Sequence, residues 1–274
     1  MKDLLIAVRG AGEMATGIAH RLFVSGFRRI VMSEIAVPVS VRRKVAFSEA
    51  VYEKAAIVEG VRAELIGDVS GLLTLWDRGA IGVVIDREGI FLRSLRPQVL
   101  VDAIMAKQWK EPMKGMAPLV IGVGPGFRAP DEVDAVVESN RGHDLGRVIY
   151  DGEAEPYTGL PGSTAGYTKE RVLRSPHAGL VRTVKCIGDQ VCAGDVILYV
   201  DETPVRAEIS GVLRGLIRPV EVTDEEKLGD IDPRGTEGYC FTISEKARAI
   251  GGGVLEAIMH RFHEAGLRQG ANER

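Results

Sequence analysis

The apolar positions of the first hundred residues alternate between two spacings. Leu4–Val8 is a short apolar run of strand length. Glu13–Ser25 follows it, with Met14, Ile18 and Leu22 on one stripe and Ala15, Ala19 and Phe23 beside it, which is the period of a helix. Gly26 stands where such a helix stops. Arg29–Glu34 reads as a second strand and Val39–Lys54 as a second, more charged helix. Ala56–Ile66 predicts a strand pair turning at Glu59-Gly60, and Val69–Arg78 a further helix. Val83–Asp86, Phe91–Leu92 and Gln98–Ala103 read as strands. Strand and helix in alternation predict a parallel, doubly wound sheet.

The texture then changes. Lys107–Gly115 is polar, carries Pro112 and makes the first boundary; beyond it Leu119–Val123 is a strand, followed by a glycine-dense, helix-poor stretch as far as Gly166. From about Arg171 there is an internal repeat. Ser175–Asp201 is echoed by Ala207–Asp232, with Gly179 matching Gly211, Val191 matching Val222 and Asp201 matching Asp232. Two units of short strands, each too small to bury its own apolar face, are expected to pack on each other. Ser244–Leu267 reads as a C-terminal helix on the spacing of Ile250, Val254, Ile258 and Phe262, with Gly251-Gly252-Gly253 set for close packing or a break. The organisation expected is therefore a Rossmann-like α/β domain over 1–112 and a glycine-rich segment over 113–170 docking on the repeat. The β-rich repeat follows over 171–235 and the C-terminal helix within 236–274.

Composition narrows the partners. Lys and Arg number 35 against 38 Asp and Glu, a net charge of −3, which argues against wholesale binding of nucleic-acid phosphates. Aromatic residues are only 5%, too few for sites built on base stacking, whereas 33 glycines point to tight turns and close backbone approaches. No apolar run approaches the roughly 20 residues that span a bilayer. The run Leu4–Val8 is too short for a signal-peptide core. Cys186, Cys192 and Cys240 form neither a C-x-x-C pair nor an even set, so no disulfide framework or zinc ribbon is indicated. The expectation is a soluble cytoplasmic protein.

The strongest chemical signal is Gly10-x-Gly12-x-x-Ala15 between the first strand and its helix. The first glycine makes the turn, the second lets backbone approach a pyrophosphate, and the small third residue packs helix on strand. The helix N-terminus supplies unpaired N–H groups and partial positive charge. Glu34, at the end of the second strand, is placed to accept hydrogen bonds from a ribose. This set predicts a nucleotide or dinucleotide site, with a ligand-free platform as the other reading. Glu13 stands near the phosphate position, either turned away as a first-turn acid or repelling the ligand, and Arg9 either compensates it or simply faces out of the strand edge. Gly122–Gly126 is a second glycine loop, either an anion nest or a structural turn. Asn140–Arg147 is the densest cluster of titratable types. Arg141, His143 and Asp144 are the catalytic candidates, with a His–Asp pair for proton transfer and arginines for an anion, against the reading of a solvated loop. Glu256, His260, His263 and Glu264 have metal-like spacing that a polar helix face also produces, and no metal site is expected. His20 and Arg21 are expected on the solvated side of the first helix, and Cys186 and Cys192 as packed thiols.

Two resemblances add to this. The repeat pattern at Ser175–Ile197 and Ala207–Ile231 resembles the barrel-sandwich hybrid fold of biotinyl and lipoyl carriers. Those carriers place a lysine where the halves join, and here the join, Asp201–Arg206, has none, so neither biotin nor lipoate is expected. The chain as a whole is similar to the YqeB-type family, accessory proteins of selenium-dependent molybdenum hydroxylase systems. The likeness rests on VRGAGEMATGIAHRL (Val8–Leu22), VLVDAIMAK (Val99–Lys107), MAPLVIGVGPGF (Met116–Phe127), RGHDLGRVIY (Arg141–Tyr150), YTKERVLRSP (Tyr167–Pro176) and YCFTISEKARAIGGGVLEAI (Tyr239–Ile258). The resemblance implies a maturation role, with a molybdenum hydroxylase client or other maturation proteins as partners and a homo-oligomer left open. In that picture Gly10, Gly12, Ala15 and Glu34 hold NAD(P) or a molybdopterin nucleotide, and Arg141 and His143 face it across an inter-domain cleft. The alternatives are a protein-binding scaffold without a ligand, and an NAD(P)-dependent oxidoreductase using His143 and Asp144 as a proton relay.

Overall fold

The computed structural model describes residues 2–105 and 113–272, with side chains of the C-terminal helix described as far as residue 263. Most of the expected boundary at Lys107–Gly115 lies outside the described residues. The chain forms two units: Met1–Pro38, Phe47–Tyr157 and Ser244–Arg274 make the first, and Val39–Ala46 with Thr158–Ile243 the second.

In chain order the elements begin with β1 (Ile6–Arg9), α1 (Glu13–Val24), β2 (Ile30–Glu34), α2 (Ala50–Glu53), β3 (Ala55–Val58) and β4 (Val61–Ile66). There follow α3 (Ser70–Asp77), β5 (Ile81–Ile85), α4 (Ile90–Ser94), β6 (Val99–Asp102) and β7 (Leu119–Val123). The first unit continues with β8 (Arg128–Ala129), β9 (Ala135–Val137), β10 (Val148–Ile149) and β11 (Gly152–Glu153). Nine of these strands form one sheet in the order β10-β9-β7-β6-β1-β2-β5-β4-β3. From β9 to β4 neighbours run parallel, and an antiparallel strand closes each edge. Alternate residues of the parallel strands, among them Ala7, Val31, Val84, Leu100, Val120 and Val136, share a core with Leu72 and Leu75 of α3 and Leu92 of α4. Helices cover both faces, and so β1, β2 and β6 read as unbroken apolar runs.

The opposite face carries α1 together with α5 (Glu245–Asn272), the last helix of the chain. What packs on α5 explains two of its three consecutive glycines. A Cβ on Gly17 would lie 2.7 Å from that of Ala247, one on Gly251 would lie 2.9 Å from the Gly17 carbonyl, and one on Gly253 would meet the Gly146 carbonyl at 2.2 Å. The glycines allow close packing and α5 passes through them unbroken.

Several expectations are corrected here. Phe91–Leu92 lies in helix α4. Val39–Lys54 is no single helix: residues 43–45 and 47–49 are 3-10 turns and only Ala50–Glu53 is α-helical. Tertiary contacts override its periodicity. The Arg42 guanidinium donates to the carbonyls of Tyr239 and Thr242, at 2.7 and 3.0 Å, and the Leu216 N–H donates to the Val41 carbonyl at 2.8 Å. The segment Val39–Ala46 thereby belongs to the second unit. Residues 113–157 join the first unit, because β7, β9 and β10 extend its sheet.

The second unit holds β12 (Val172–Arg174), β13 (Gly179–Thr183), β14 (Gln190–Val191), β15 (Val196–Val200), β16 (Thr203–Arg206), β17 (Gly211–Leu216), β18 (Glu221–Val222) and β19 (Lys227–Asp232). These make two antiparallel sheets, β12-β19-β17-β14 and β16-β15-β13-β18. The repeat appears as an exchange: Gly179 of one half pairs with Val222 of the other, and Val191 pairs with Gly211. The fold class expected is nevertheless corrected. Among the described residues the chain is a mixed α/β protein of four sheets and does not match a biotinyl or lipoyl barrel-sandwich hybrid. The sequence echo encodes the exchange between halves. It is silent on β12 and on the inserted Val39–Ala46, which packs against β17 through Val41 and Gly215.

Candidate functional site

In an open parallel sheet, ligands bind beyond the carboxyl ends of the strands, where the chain reverses its direction of travel across the sheet. Here that place lies between β1 and β6. From β1 the chain moves through β2 toward β5 and β4, then returns to β6 and continues to β7 and β9. The residues ending these strands are Arg9, Glu34 and Asp102.

The glycine loop follows β1. Gly10 has φ +95°, and a Cβ there would lie 3.3 Å from the Ala103 carbonyl, so the turn needs glycine for both reasons. Gly12 is the N-cap of α1 and brings no side chain to it, and Ala15 is buried beneath the loop. The loop is fixed from behind. The Ala11 carbonyl accepts from the Thr16 hydroxyl at 3.1 Å and from the Ser48 N–H at 2.8 Å, and the Thr16 Oγ1 accepts from the Phe47 N–H at 2.8 Å. Glu34 sits beside it, its Oε2 accepting the Ala11 N–H at 3.0 Å and its Oε1 the Ile35 N–H at 2.8 Å. Burial pushes the Glu34 carboxyl above its ordinary 4.5, against the downward pull of those two N–H groups.

An ion pair completes the mouth. Arg9 Nη1 lies 2.7 Å from Asp102 Oδ2, and Asp102 is 2% exposed. The other Asp102 oxygen accepts the Ile104 N–H at 3.1 Å, which shapes the loop after β6. A second cation reaches the same place from α4: Arg93 Nη1 and Arg9 Nε lie 3.4 and 3.8 Å from the point where a Gly89 Cβ would stand. Ile35, Ile85, Ile90 and Ile104, which follow or end β2, β5 and β6, are all exposed. The edge thus offers backbone donors, two guanidinium groups, a shielded carboxylate and an apolar rim.

Gly10, Gly12, Ala15 and Glu34 come together as one constellation. Sequence reasoning missed Asp102, Thr16, Ser48 and Arg93. Asp102 left a signal, an apolar run ending in an acid at a strand's carboxyl end; Thr16, Ser48 and Arg93 left none, being set by tertiary approach.

The Arg141–Asp144 cluster is a turn after β9. Its organiser is Glu138, 2% exposed, whose carboxylate accepts the N–H groups of Ser139, Asn140 and Glu155 at 2.6, 2.6 and 2.7 Å. Arg141 pairs with Glu245 in the first turn of α5. On α5, Ala247 and Gly251 meet Gly17 of α1, and Gly251 also meets Arg21. This cluster and the loop belong to one unit, so the expected inter-domain cleft does not separate them. Asp144 pairs with Arg147 at 3.2 Å, His143 is exposed, and among the described residues no hydrogen bond joins His143 to Asp144. Gly122–Gly126 is filled by its own neighbours, Phe127 over Gly122 and Ser139 over Gly124, which is the structural-turn reading.

Among the described residues no group of three or more His, Cys, Asp or Glu is placed to hold a metal, and the His260 ring lies against Tyr150 with centroids 4.9 Å apart. The Glu264 side chain lies outside the described ones. Two other expectations are corrected: His20 is buried beside Glu59, 3.9 Å away, under α5, and Cys186 and Cys192 are exposed on turns while Cys240 is buried. Among the described residues no helix is long and apolar enough to cross a membrane.

No family model matches the chain. It is 44% identical over 261 residues, 95% of its length, to the uncharacterized protein YqeB of Escherichia coli (strain K12), of which it spans 48%. Among solved structures it is similar to a succinylglutamate desuccinylase/aspartoacylase from Rhodobacter sphaeroides, at 12% identity over 84% of this chain and 85% of that one, with a TM-score of 0.27. The apo ectoine utilization protein EutE from Ruegeria pomeroyi is another, at 10% identity over 84% of this chain and 86% of that one, with a TM-score of 0.24. Likeness at that level fixes neither fold nor activity. The identity to YqeB, by contrast, runs through nearly the whole of this chain, which spans about half the length of that protein.

Proposed function

We propose that the carboxyl edge of the first unit binds a nucleotide-bearing cofactor, NAD(P) or a molybdopterin nucleotide, and that the chain serves as an accessory factor in maturing a selenium-dependent molybdenum hydroxylase. The pathway rests on the YqeB-type resemblance. The binding rests on one observation: at the point where the sheet reverses direction, a glycine loop is anchored from behind while the first turn of α1 has no side-chain cap. Phosphate oxygens take N–H groups at the start of α1, beyond those of Gly10 and Ala11 that are already bonded, and the Arg9 and Arg93 guanidinium groups, which offset the charge of Glu13. Glu34 uses one lone pair of each oxygen on backbone, leaving the others for ribose hydroxyl groups. The same carboxylate repels a 2′-phosphate, so NAD is preferred to NADP. The apolar rim at Ile35, Ile85 and Ile90 suits the flat base.

The test is a thermal-shift series of the purified chain with NAD, NADP, ATP, CTP, GTP and FAD, repeated for Glu34→Ala and Gly12→Val. A ligand at 100 times its Kd adds about 2.7 kcal/mol, a shift of several degrees. One nucleotide shifting the wild type, with both variants responding less, is expected. A flat series overturns the NAD(P) reading and leaves a scaffold or a pterin ligand outside the series, which pull-down of the client then separates. The scaffold reading draws on Glu34 already holding the Ala11 N–H, and recovery of a stoichiometric nucleotide with the purified chain rules it out.

A further inference from the structure

The second unit contains a cavity of about 630 Å³, within the range of small-molecule sites, that no part of the reading above uses. It opens where the outer strands of the two antiparallel sheets, β12 and β16, come together. Its floor is apolar: Val172, Leu173 and Val205 are all buried. Pro161, Pro176 and Pro204 stiffen its walls, and Pro204 withholds an N–H from the open edge of β16. Three cations line it, Lys169, Arg174 and Arg206, against two acids, Glu208 and Glu225.

The two arginines are held in place before any ligand arrives. Arg174 Nη1 donates to the Glu225 carbonyl at 2.8 Å. That turn is tied to the end of β12 twice, since the Glu225 N–H donates to the Ser175 carbonyl at 3.1 Å and the Ser175 N–H to the Glu226 carbonyl at 2.9 Å. Arg206 Nη1 donates to the Gly194 carbonyl at 2.8 Å. The turn bearing Gly194 is braced in its own way: Asp195 accepts the Cys192 N–H at 3.2 Å, and the Ala193 N–H donates to the Ser210 hydroxyl at 3.0 Å. Each guanidinium therefore spends one nitrogen on the protein's backbone and keeps its remaining N–H groups for a guest. Fixing them in advance lowers the entropy lost on binding. Neither arginine forms an ion pair among the described residues, so the positive charge of each is not neutralised by a carboxylate contact.

We propose that this cavity is a binding site for a small amphipathic anion, a carboxylate or phosphate group carried on an apolar body. The headgroup meets Arg174, Arg206 and Lys169, and the body lies on Leu173 and Val205. Glu208 and Glu225 disfavour guests with more than one strongly charged group, so the site selects against bare polyanions.

The test is calorimetric titration of the full chain with phenyl phosphate and with benzoate, the two headgroup chemistries on one apolar body. Benzamide serves as the uncharged counterpart and inorganic pyrophosphate as the bare polyanion. The expected result is saturable binding of one or both amphipathic anions, weakened by salt, with benzamide and pyrophosphate at least tenfold poorer. Arg206→Gln lowers affinity about tenfold, the loss of a charge-assisted hydrogen bond. Lys169→Gln, at an exposed residue whose change leaves the fold intact, lowers it less, and Gly12→Val in the first unit leaves it unchanged. Absence of saturable binding, equal binding of benzamide, indifference to both Arg206→Gln and Lys169→Gln, or loss on Gly12→Val overturns the proposal.

Discussion

Glu34 shows what a single carboxylate does at the mouth of the first unit. Its two oxygens hold the Ala11 and Ile35 N–H groups, yet burial wins and its carboxyl sits above the ordinary 4.5. A carboxyl that is raised on folding binds its proton more tightly in the folded state, so its contribution to stability falls as pH rises from about 4.5 through the raised value. Denaturation curves for wild type and Glu34→Gln are expected to converge or cross as pH rises, the wild type losing more; parallel curves would contradict this. Asp232 is the opposite case. Burial pushes its carboxyl up, but the hydrogen bonds and charge of Arg234, with Arg214 behind, hold it below the ordinary 3.8. Its stabilisation is present above about pH 3.8 and disappears as pH falls through the depressed value. In acid, the protection factor of the Ile231 amide, its exchange relative to the intrinsic rate at each pH, is expected to fall in the wild type and to be flatter with pH in Asp232→Asn. At the ion pair, Asp102→Asn leaves a partly buried Arg9 without its counter-charge. With Arg9 about a quarter exposed, a loss of about 2–3 kcal/mol in urea denaturation is expected, below the full cost of breaking a buried pair.

At the scale of elements, the α1–α5 contact turns three consecutive glycines into three different positions. A Cβ on Gly252 meets nothing within 4 Å, whereas one on Gly251 would meet the Gly17 carbonyl at 2.9 Å and one on Gly253 the Gly146 carbonyl at 2.2 Å. Gly252→Ala is expected to stabilise the chain by about 0.5–1 kcal/mol, the propensity gain in a helix interior. Gly253→Ala is expected to destabilise it by about 1–3 kcal/mol through overpacking, seen as a lower thermal midpoint. The sequence marks all three as costly in a helix and cannot rank them, because the ranking depends on what α1 and the turn at Gly146 bring up against α5. The helix itself was legible, as were β1, α1, β2, α3, β6 and β7, each a local period with local stop signals. The stretch 39–54 was misread for the converse reason: its helical spacing is weak beside the hydrogen bonds of Arg42 and Leu216 that draw 39–46 away.

On the scale of the whole molecule, the excursion of Val39–Ala46 from one unit to the other is the main departure from a domain-by-domain reading. Arg42 is 4% exposed and holds two carbonyls of the chain near Tyr239. Arg42→Met keeps the bulk and removes both donors, so a loss of about 1–3 kcal/mol is expected, localised by faster amide exchange in β17. Uniform exchange across the chain would show that the segment does not brace the second unit.

The sequence by itself determined the glycine loop with its acid, the order of the parallel strands' apolar runs and the internal repeat. All of these are written in spacings of a few residues or in echoes of one local unit. Only the tertiary structure decided that Asp102, Thr16, Ser48 and Arg93 gather around the glycine loop and the end of β1. It also decided that His143 and Asp144 stand on an exposed turn organised by Glu138, and that Arg174 and Arg206 share a cavity. Those groups lie far apart along the chain, and no local period carries information about which of them meet. That is settled by burial of the sheet's faces and by the hydrogen bonds that buried backbone must find.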